Sequence, residues 1–304
     1  MRYDCEVMNN LFSKNGVSLD RLQSLEKVVR AGNIALAAKG DPTRQSLISR
    51  QITELETALG LALLDRTKKP FHPTLAAQQL ADTCGRFVRE VEDISGEAHG
   101  LQRPITVGAG EVVIREFLIP MIGKQKKGRV QVSWVMRNLT GKKIQEGLAA
   151  EWLDVGIASG LEASGPVEVE DLLNYGMKLL LPEHEKPTRT GWKLLKEIPV
   201  VLMDGDRKFR QHLAGCEREH GVNLRVGAEC TSYPQAVDLA EVAGWAVIVP
   251  EIWWRRRKTD WASRTQVLPG LEAYQRTLQL GWNRNVLKRR PELEVLVKAL
   301  RGNR

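Results

Sequence analysis

The sequence predicts a multidomain chain, α+β at its N-terminal end and α/β beyond. It reads as a winged helix-turn-helix, one long linking helix, and a larger domain of alternating strands and helices. Three observations carry that reading. Between Ser18 and Gly60, glycines punctuate three short helical patterns. From Leu80 to Leu101, apolar residues keep a 4-3-4-3-4-3 spacing. After Arg103, apolar runs of strand length alternate with helical stretches, the mark of βαβ units around a parallel sheet. At 304 residues the chain is long enough for two or three domains with substantial cores.

Met1 to Val17 shows no strong periodicity and is expected to be a flexible extension, with Met8 as a second candidate start. Ser18 is a good N-cap for a helix marked by Leu22, Leu25 and Val29, and Gly32 suits its left-handed end. Asn33 caps a short helix over Ile34 to Lys39, rich in alanines that permit close packing and closed by Gly40. Asp41-Pro42 then joins an N-cap to a proline at the first helical position, a strong start signal for a helix running to Gly60. Ile48, Ile52, Leu55 and Leu59 are spaced 4, 3 and 4, so they stack on one face. Ser46, Ser49, Arg50 and Thr53 fall on roughly the opposite face, with Gln45 at its edge. Two short helices about a tight turn, the second with a polar outer face, form a helix-turn-helix.

That outer face carries no carboxylate in its early part. Its Gln, Ser and Arg groups match the donors and acceptors of base edges in a DNA major groove, against the plainer reading of an amphipathic surface helix. Leu61, Leu63 and Leu64 then suggest a short strand, and Asp65 to Thr74 a Pro-bounded return. The result is a β-hairpin wing whose Arg66, Lys68 and Lys69 would meet phosphates or the minor groove; the alternative is a solvated charged turn. Thr74 can cap the next helix, to about Ala98. Its seam of Leu80, Cys84, Phe87, Val91 and Ile94, continued by Ala98 and Leu101, has charged flanks at Arg86, Arg89, Glu90 and Glu92. Dimerisation through this seam is favoured over packing on the chain's own domain, with Cys84 as a small buried hydrophobe.

Beyond Arg103, strands are expected at Ile105–Ala109, Val130–Met136, Asp154–Ala158, Met177–Leu181, Val200–Met203, Leu224–Ala228, Ala246–Val249 and Arg276–Trp282. Helices are expected at Val112–Lys124, Thr140–Glu151, Arg207–His220, Gln235–Ala243 and Pro291–Leu300. All eight tryptophans lie in this part, as a domain of different composition would have them. Open α/β sheets bind ligands beyond the carboxyl ends of their strands. Those ends supply Gly110, Glu111, Asn138, Thr140, Asp204, Thr231, Ser232 and Pro250 as candidate effector contacts. Backbone N–H groups near Gly110 could face an anion, but Glu111 beside them argues against an anionic effector. Thr140, Thr231 and Ser232 have the competing role of helix N-caps.

Other chemistries find little purchase. His212, Cys216 and His220 share one helical face, but the outer two lie about 12 Å apart at 1.5 Å per residue, so they cannot close on one ion. Cys216 and Cys230 are a candidate redox pair with no neighbour that guarantees a lowered thiol pKa. The four cysteines, at 5, 84, 216 and 230, make no disulfide framework and suit reduced thiols in the cytoplasm. There is no Gly-Lys-Ser/Thr phosphate loop, His-Glu-x-x-His or Gly-x-Ser-x-Gly. Glu168, Glu170 and Asp171 read as a solvated, strand-flanking stretch. No enzyme, metal or cofactor is expected. A net charge of +8 and a pI near 9.4 favour a polyanionic partner. No apolar run long enough to span a membrane occurs, and Met1 to Gly16 lacks the apolar core of a signal peptide.

Leu19 to Leu80 resembles the winged helix-turn-helix of LysR-type transcriptional regulators. The resemblance rests on Ala31-Gly32-Asn33, Ala37-Ala38, the run Gln45 to Ile52, Leu55-Glu56, Leu59-Gly60, Asp65-Arg66-Thr67 and Thr74. Asp154-Val155-Gly156-Ile157 and Ala243 to Pro250 extend it more weakly into the C-terminal half. It implies a periplasmic-binding-protein-like effector domain of two subdomains, about 103–182 with 272–304 and about 183–271, hinged by two crossing strands. It also implies a small-molecule effector of unknown identity in the cleft, dimers that pair into tetramers, an interrupted inverted repeat in double-stranded DNA, and RNA polymerase as a further partner. Carried over by position, Gln45, Ser46, Ser49 and Arg50 face bases or nearby phosphates, Asn33, Thr43, Arg44 and Thr53 flank them, and Arg66 belongs to the wing. The chain departs from the family at Ala35, where a phosphate-contacting Thr is usual, at Asp41-Pro42 and at Arg44. Arg44 is expected to supply the phosphate contact that the methyl group of Ala35 cannot make. The competing class is a solute-binding protein or α/β enzyme whose N-terminal helices only dimerise.

Overall fold

Local capping explains the first three helices of the computed structural model, which describes residues 16–67, 69–98, 103–124, 133–183, 190–254 and 264–302. The Ser18 hydroxyl accepts from the Arg21 N–H and starts α1 (Leu19–Ala31), which Gly32 closes at φ 87°. Asn33 accepts from the Leu36 N–H to start α2 (Ile34–Ala37). This helix stops short of the expected Lys39, because Lys39 (φ 54°) and Gly40 (φ 78°) both turn left-handed. Asp41 accepts from the Thr43 and Arg44 N–H groups, and α3 (Pro42–Leu59) follows. Most of the expected flexible extension, residues 1–15, lies outside the described residues.

The chain divides into two compact units, Met1–Arg103 and Pro104–Arg304. In the first, Leu25, Val28, Ile34, Ile48, Ile52, Leu55, Leu63 and Leu64 form the core, and Leu59 is only partly buried against it. The wing pairs β1 (Leu64–Asp65) with β2 (His72–Pro73), antiparallel. Leu61, expected in that strand, is instead exposed and precedes it. The Glu56 carboxylate claims the Leu63 and Leu64 N–H groups at 2.8 and 3.0 Å, which places the strand start later. Thr74 donates to the Ala62 carbonyl and accepts from the Ala77 N–H, starting α4 (Leu75–Ala98). The apolar seam of α4 splits. Leu80 packs on the unit's own core and Cys84 is 5% exposed, whereas Phe87, Val91 and Ile94 are 54%, 48% and 70% exposed. Leu101 lies outside the described residues.

The second unit holds two five-stranded sheets. The first contains β3 (Ile105–Ala109), β4 (Trp134–Asn138), β5 (Val155–Ala158), β6 (Val167–Tyr175) and β12 (Arg276–Asn283) in the order β4-β3-β5-β12-β6. The second contains β7 (Met177–Leu180), β8 (Val200–Met203), β9 (Val226–Cys230), β10 (Ala246–Pro250) and β11 (Thr265–Gln266) in the order β11-β7-β10-β8-β9. Both are mixed rather than parallel: β12 runs antiparallel to β5 and β6, and β7 antiparallel to β10. The acidic stretch with Glu168, Glu170 and Asp171, expected to flank a strand, is the edge strand β6 itself. Its acids are held by Trp282, Arg301 and Gln279. β4 and β9 lie further along the chain than expected. Residues 130–132 of the expected β4 lie outside the described residues.

Helices pack on these sheets: α5 (Glu111–Val113), continued by a π turn at Ile114–Leu118 and α6 (Ile119–Lys124), then α7 (Gly141–Ala149), α8 (Arg207–His220), α9 (Tyr233–Ala243), α10 (Arg284–Arg289) and α11 (Glu292–Arg301). One apolar cluster joins residues of both sheets, including Val107, Ile157, Leu180, Val201, Val247 and Leu280. Because β7 belongs to the second sheet, the chain crosses at Gly176 rather than near the expected residue 182, and returns just before Arg276. A methyl on Gly176 would meet the Gln275 amide at 2.9 Å, so the two crossings touch. Glu251 fastens the first crossing, accepting from the Gly176 N–H at 3.0 Å and pairing with Lys178 at 2.9 Å. Burial pushes the Glu251 carboxyl up, but those two donors outweigh it and hold its pKa below the usual range.

Candidate nucleic-acid interface and effector junction

α3 is anchored by one face and open on the other. Ile48, Ile52 and Leu55 are at most 8% exposed, while Thr43, Arg44, Gln45, Ser46, Arg50 and Thr53 are exposed and Ser49 is half-buried. The Asp41 cap fixes the first turn, and its carboxylate also stands 3.5 Å from the Arg44 guanidinium. Arg44 remains largely outside, with 67% of its side chain exposed. Arg50 lies 3.4 Å from Glu54, whose other oxygen binds Arg21 of α1 at 2.5 Å. Asn33 is spent on capping α2, so of the expected interface residues it is a structural member.

The wing is tied to the same helix. Arg66 pairs with Glu56 at 2.7 Å, touches the Thr53 hydroxyl at 3.3 Å and lies over the Phe71 ring. Burial raises the Glu56 pKa, but the Arg66 guanidinium and the Leu63 and Leu64 N–H groups bring the net shift below the ordinary value. Lys69 is exposed, and Lys68 lies outside the described residues. Of the expected interface residues, Arg66, Lys69 and most of the outer face of α3 are exposed, and Arg66 also braces the wing against α3.

At the junction of the two sheets, the structure assembles a site that spacing alone reveals only in part. Three of the chain's four tyrosines, Tyr175, Tyr233 and Tyr274, lie within electrostatic reach of Arg276. Each arrives at an element end: Tyr175 closes β6, Tyr233 opens α9, and Arg276 opens β12. Asp206 caps α8 through the Phe209 N–H, binds Arg276 at 2.9 Å and accepts from the Tyr274 hydroxyl at 3.3 Å. Tyr175 shares a 3.1 Å hydrogen bond with Ser159. Burial, reinforced by Asp206, pushes the Tyr274 phenol up; burial dominates for Tyr233, which stays a neutral phenol. Burial pulls the Arg276 pKa down, but the negative charge near it, from the tyrosines once ionised and from Asp206, gives a net upward shift, and at neutral pH Asp206 is its counter-ion.

Of the effector candidates, Glu111 and Ser232 meet directly: the Ser232 hydroxyl donates to the Glu111 carboxylate at 2.6 Å. Ser232 stands at the N-cap position of α9 but makes no side-chain cap bond, contrary to its expected capping role; its hydroxyl bonds Glu111 at the start of α5. Thr140 is the cap of α7, accepting from the Lys143 N–H. Asn138, Asp204 and Thr231 are exposed, Gly110 is half-buried and Pro250 is buried in β10. Strand ends in the sequence point to Asp204, whereas Asp206 is the one bonded to Arg276 and Tyr274; they reach Thr231 to Tyr233 but pass over Tyr175, Tyr274 and Arg276. The clue to the junction is the scarcity of tyrosine combined with its placement at strand and helix ends.

The His212, Cys216 and His220 face binds backbone. His212 Nε2 lies 2.9 Å from the Gly270 carbonyl, and His220 Nε2 lies 3.0 Å from that of Pro269 with its ring stacked on Trp192. Among the described residues no His, Cys, Asp and Glu cluster is arranged to hold a metal. Cys216 and Cys230 are free thiols, and burial, helped by Glu219, pushes the Cys216 pKa up, the wrong direction for a reactive thiolate.

Comparison with known proteins matches these two units in turn. Residues 19–78 match the family described as bacterial regulatory helix-turn-helix protein, lysR family, and residues 98–303 match the LysR substrate binding domain. The chain is 25% identical over 224 residues to the transcriptional activator protein LysR of Escherichia coli, covering 71% of this chain and 72% of that protein. It is 22% identical over 244 residues to the HTH-type transcriptional regulator AlsR of Bacillus subtilis, covering 77% and 80%. Its fold resembles full-length CbnR complexed with target DNA, at TM-score 0.59 and 20% identity over 95% of this chain and 100% of that one. A full-length OxyR from Pseudomonas aeruginosa gives TM-score 0.59 and 16% identity over 94% and 95%. No helix of the described residues is long and apolar enough to cross a membrane. The chain belongs to the LysR family, and is a DNA-binding transcriptional regulator with a substrate-binding domain, not an enzyme.

Proposed function

We propose that this regulator reads operator DNA with Gln45, Ser46, Ser49 and Arg50 of α3, flanked by Thr43, Arg44 and Thr53, with Lys68 and Lys69 on adjacent phosphates. The observation that carries this is the sidedness of α3: an apolar edge locked in the core and an exposed outer edge of hydroxyl, amide and guanidinium groups. Phosphate contacts set salt-dependent affinity while base contacts select sequence. A small-molecule effector at the junction of Tyr175, Tyr233, Tyr274, Arg276 and Asp206 biases the relation of the two sheets and so the DNA-bound geometry. Glu111, already bonded to Ser232, disfavours an anionic group at that end of the junction.

The exposed Phe87, Val91 and Ile94 stripe is the assigned self-association surface, giving a cytoplasmic dimer able to pair into a tetramer and to contact RNA polymerase. Binding of the full chain to an operator selected from random duplexes, measured across salt, tests the DNA reading. Arg44→Ala is expected to lower the salt slope by about 1 without changing the preferred sequence, and Gln45→Ala to relax sequence preference at one position. An Arg44→Ala slope equal to wild type removes the phosphate role.

A further inference from the structure

α3 presents one side chain on its outer surface that fits neither of its two chemistries. Leu47 is 48% exposed, whereas Ile48, Ile52 and Leu55 are at most 8% exposed and Leu59 is partly buried against the core. It lies one helical turn beyond Thr43 and one turn before Arg50, on the same exposed ridge. It is the sixth residue of a helix that begins at Pro42, within the N-terminal half that contacts base edges when such a helix enters the major groove.

Docking in the groove desolvates this whole ridge. Ser46, Gln45 and Arg50 then exchange water for donors and acceptors of the bases. An isobutyl group offers neither, and set against a guanine, cytosine or adenine edge it would strip water from polar atoms and give nothing back. The one apolar feature that the major groove displays is the C5-methyl group of thymine. We infer that Leu47 is a specificity-determining residue that reads a thymine methyl in each operator half-site. This rests on the placement of α3 in the groove. Because about half of the Leu47 side chain already faces water, its truncation is expected to cost the fold little, and a Tm measured alongside separates its effect on binding from stability.

The full-length protein selects its own operator from a random duplex pool, and each thymine of a half-site is then replaced singly by deoxyuridine, which removes only the methyl. Wild type is expected to lose about fourfold in affinity at one position per half-site, the fold-change one buried methyl is worth. Leu47→Ala, with an unchanged Tm, is expected to bind thymine and deoxyuridine operators alike at that position while keeping wild-type discrimination elsewhere. Wild-type indifference to every replacement, or a Leu47→Ala profile identical to wild type, overturns the assignment alone. A selection that returns no common sequence overturns it together with the DNA-reading role of α3.

Discussion

The polar groups of the two candidate sites behave differently in the free protein. On α3 they stand side by side along one helix and most of them face water, Arg44 and Arg50 pairing only within one turn and Thr53 reached by Arg66 of the wing. At the sheet junction they bind one another: Asp206 takes up Arg276 and Tyr274, Tyr175 takes up Ser159, and Glu111 takes up Ser232. The first arrangement is a row of independent readers. The second is a network in which a ligand must replace contacts already made.

That distinction can be broken by experiment. Arg50→Ala should weaken specific DNA binding by about 1–3 kcal/mol, the range of a good base contact, and combining it with Gln45→Ala should add nearly independently unless the two read the same base. Asp206→Asn with Arg276→Gln should instead be non-additive in Tm, with a coupling of about 0.5–3 kcal/mol. Strict additivity there would mean that the junction is no network. A metabolite that stabilises wild type by about 2.7 kcal/mol at a hundred times its dissociation constant should leave Arg276→Gln unshifted while effector-free DNA affinity stays near wild type. Asp41→Ala should cost about 1 kcal/mol through removal of the N-cap, seen by thermal unfolding and by faster amide exchange in the first turn of α3.

The smallest effect concerns the brace between helix and wing. The Glu56 pKa is lower folded than unfolded, so its ionised form stabilises the fold at neutral pH. As pH falls below about 5 the unfolded carboxyl protonates first, and the contribution is gone by the time pH passes the folded value. Glu56→Gln should therefore melt below wild type at pH 7, and the gap should close toward pH 3. A gap independent of pH would place the effect in packing.

The same contrast explains what is legible in the sequence. Ser18, Asn33 and Asp41 act within three residues of themselves, so their caps and the α3 faces can be read from spacing. Arg66 lies ten residues from Glu56, and nothing local announces that its guanidinium pairs back with that carboxylate. The junction is harder still, because Asp206 and Arg276 are 70 residues apart and meet only once two sheets have formed. β6 is hidden by its acids, since an edge strand whose carboxylates are met by Trp282, Arg301 and Gln279 lacks a clean apolar alternation. The break between sheets at Gly176 is obscured for the same reason: with β6 unread, Met177–Leu181 is the only strand expected there, and only strand pairing assigns β6 and β7 to different sheets.

Glu54 carries one consequence for docking. It stands between two guanidinium groups, Arg21 at 2.5 Å and Arg50 at 3.4 Å. In the proposed docking, an Arg50 that swings toward the groove leaves Glu54 with its counter-ion on α1, so no bare carboxylate faces the phosphates. The departing arginine trades one weak, solvated partner for a base while the charge behind it stays neutralised. On that proposal Arg21, from α1, eases the release of Arg50 by keeping Glu54 paired.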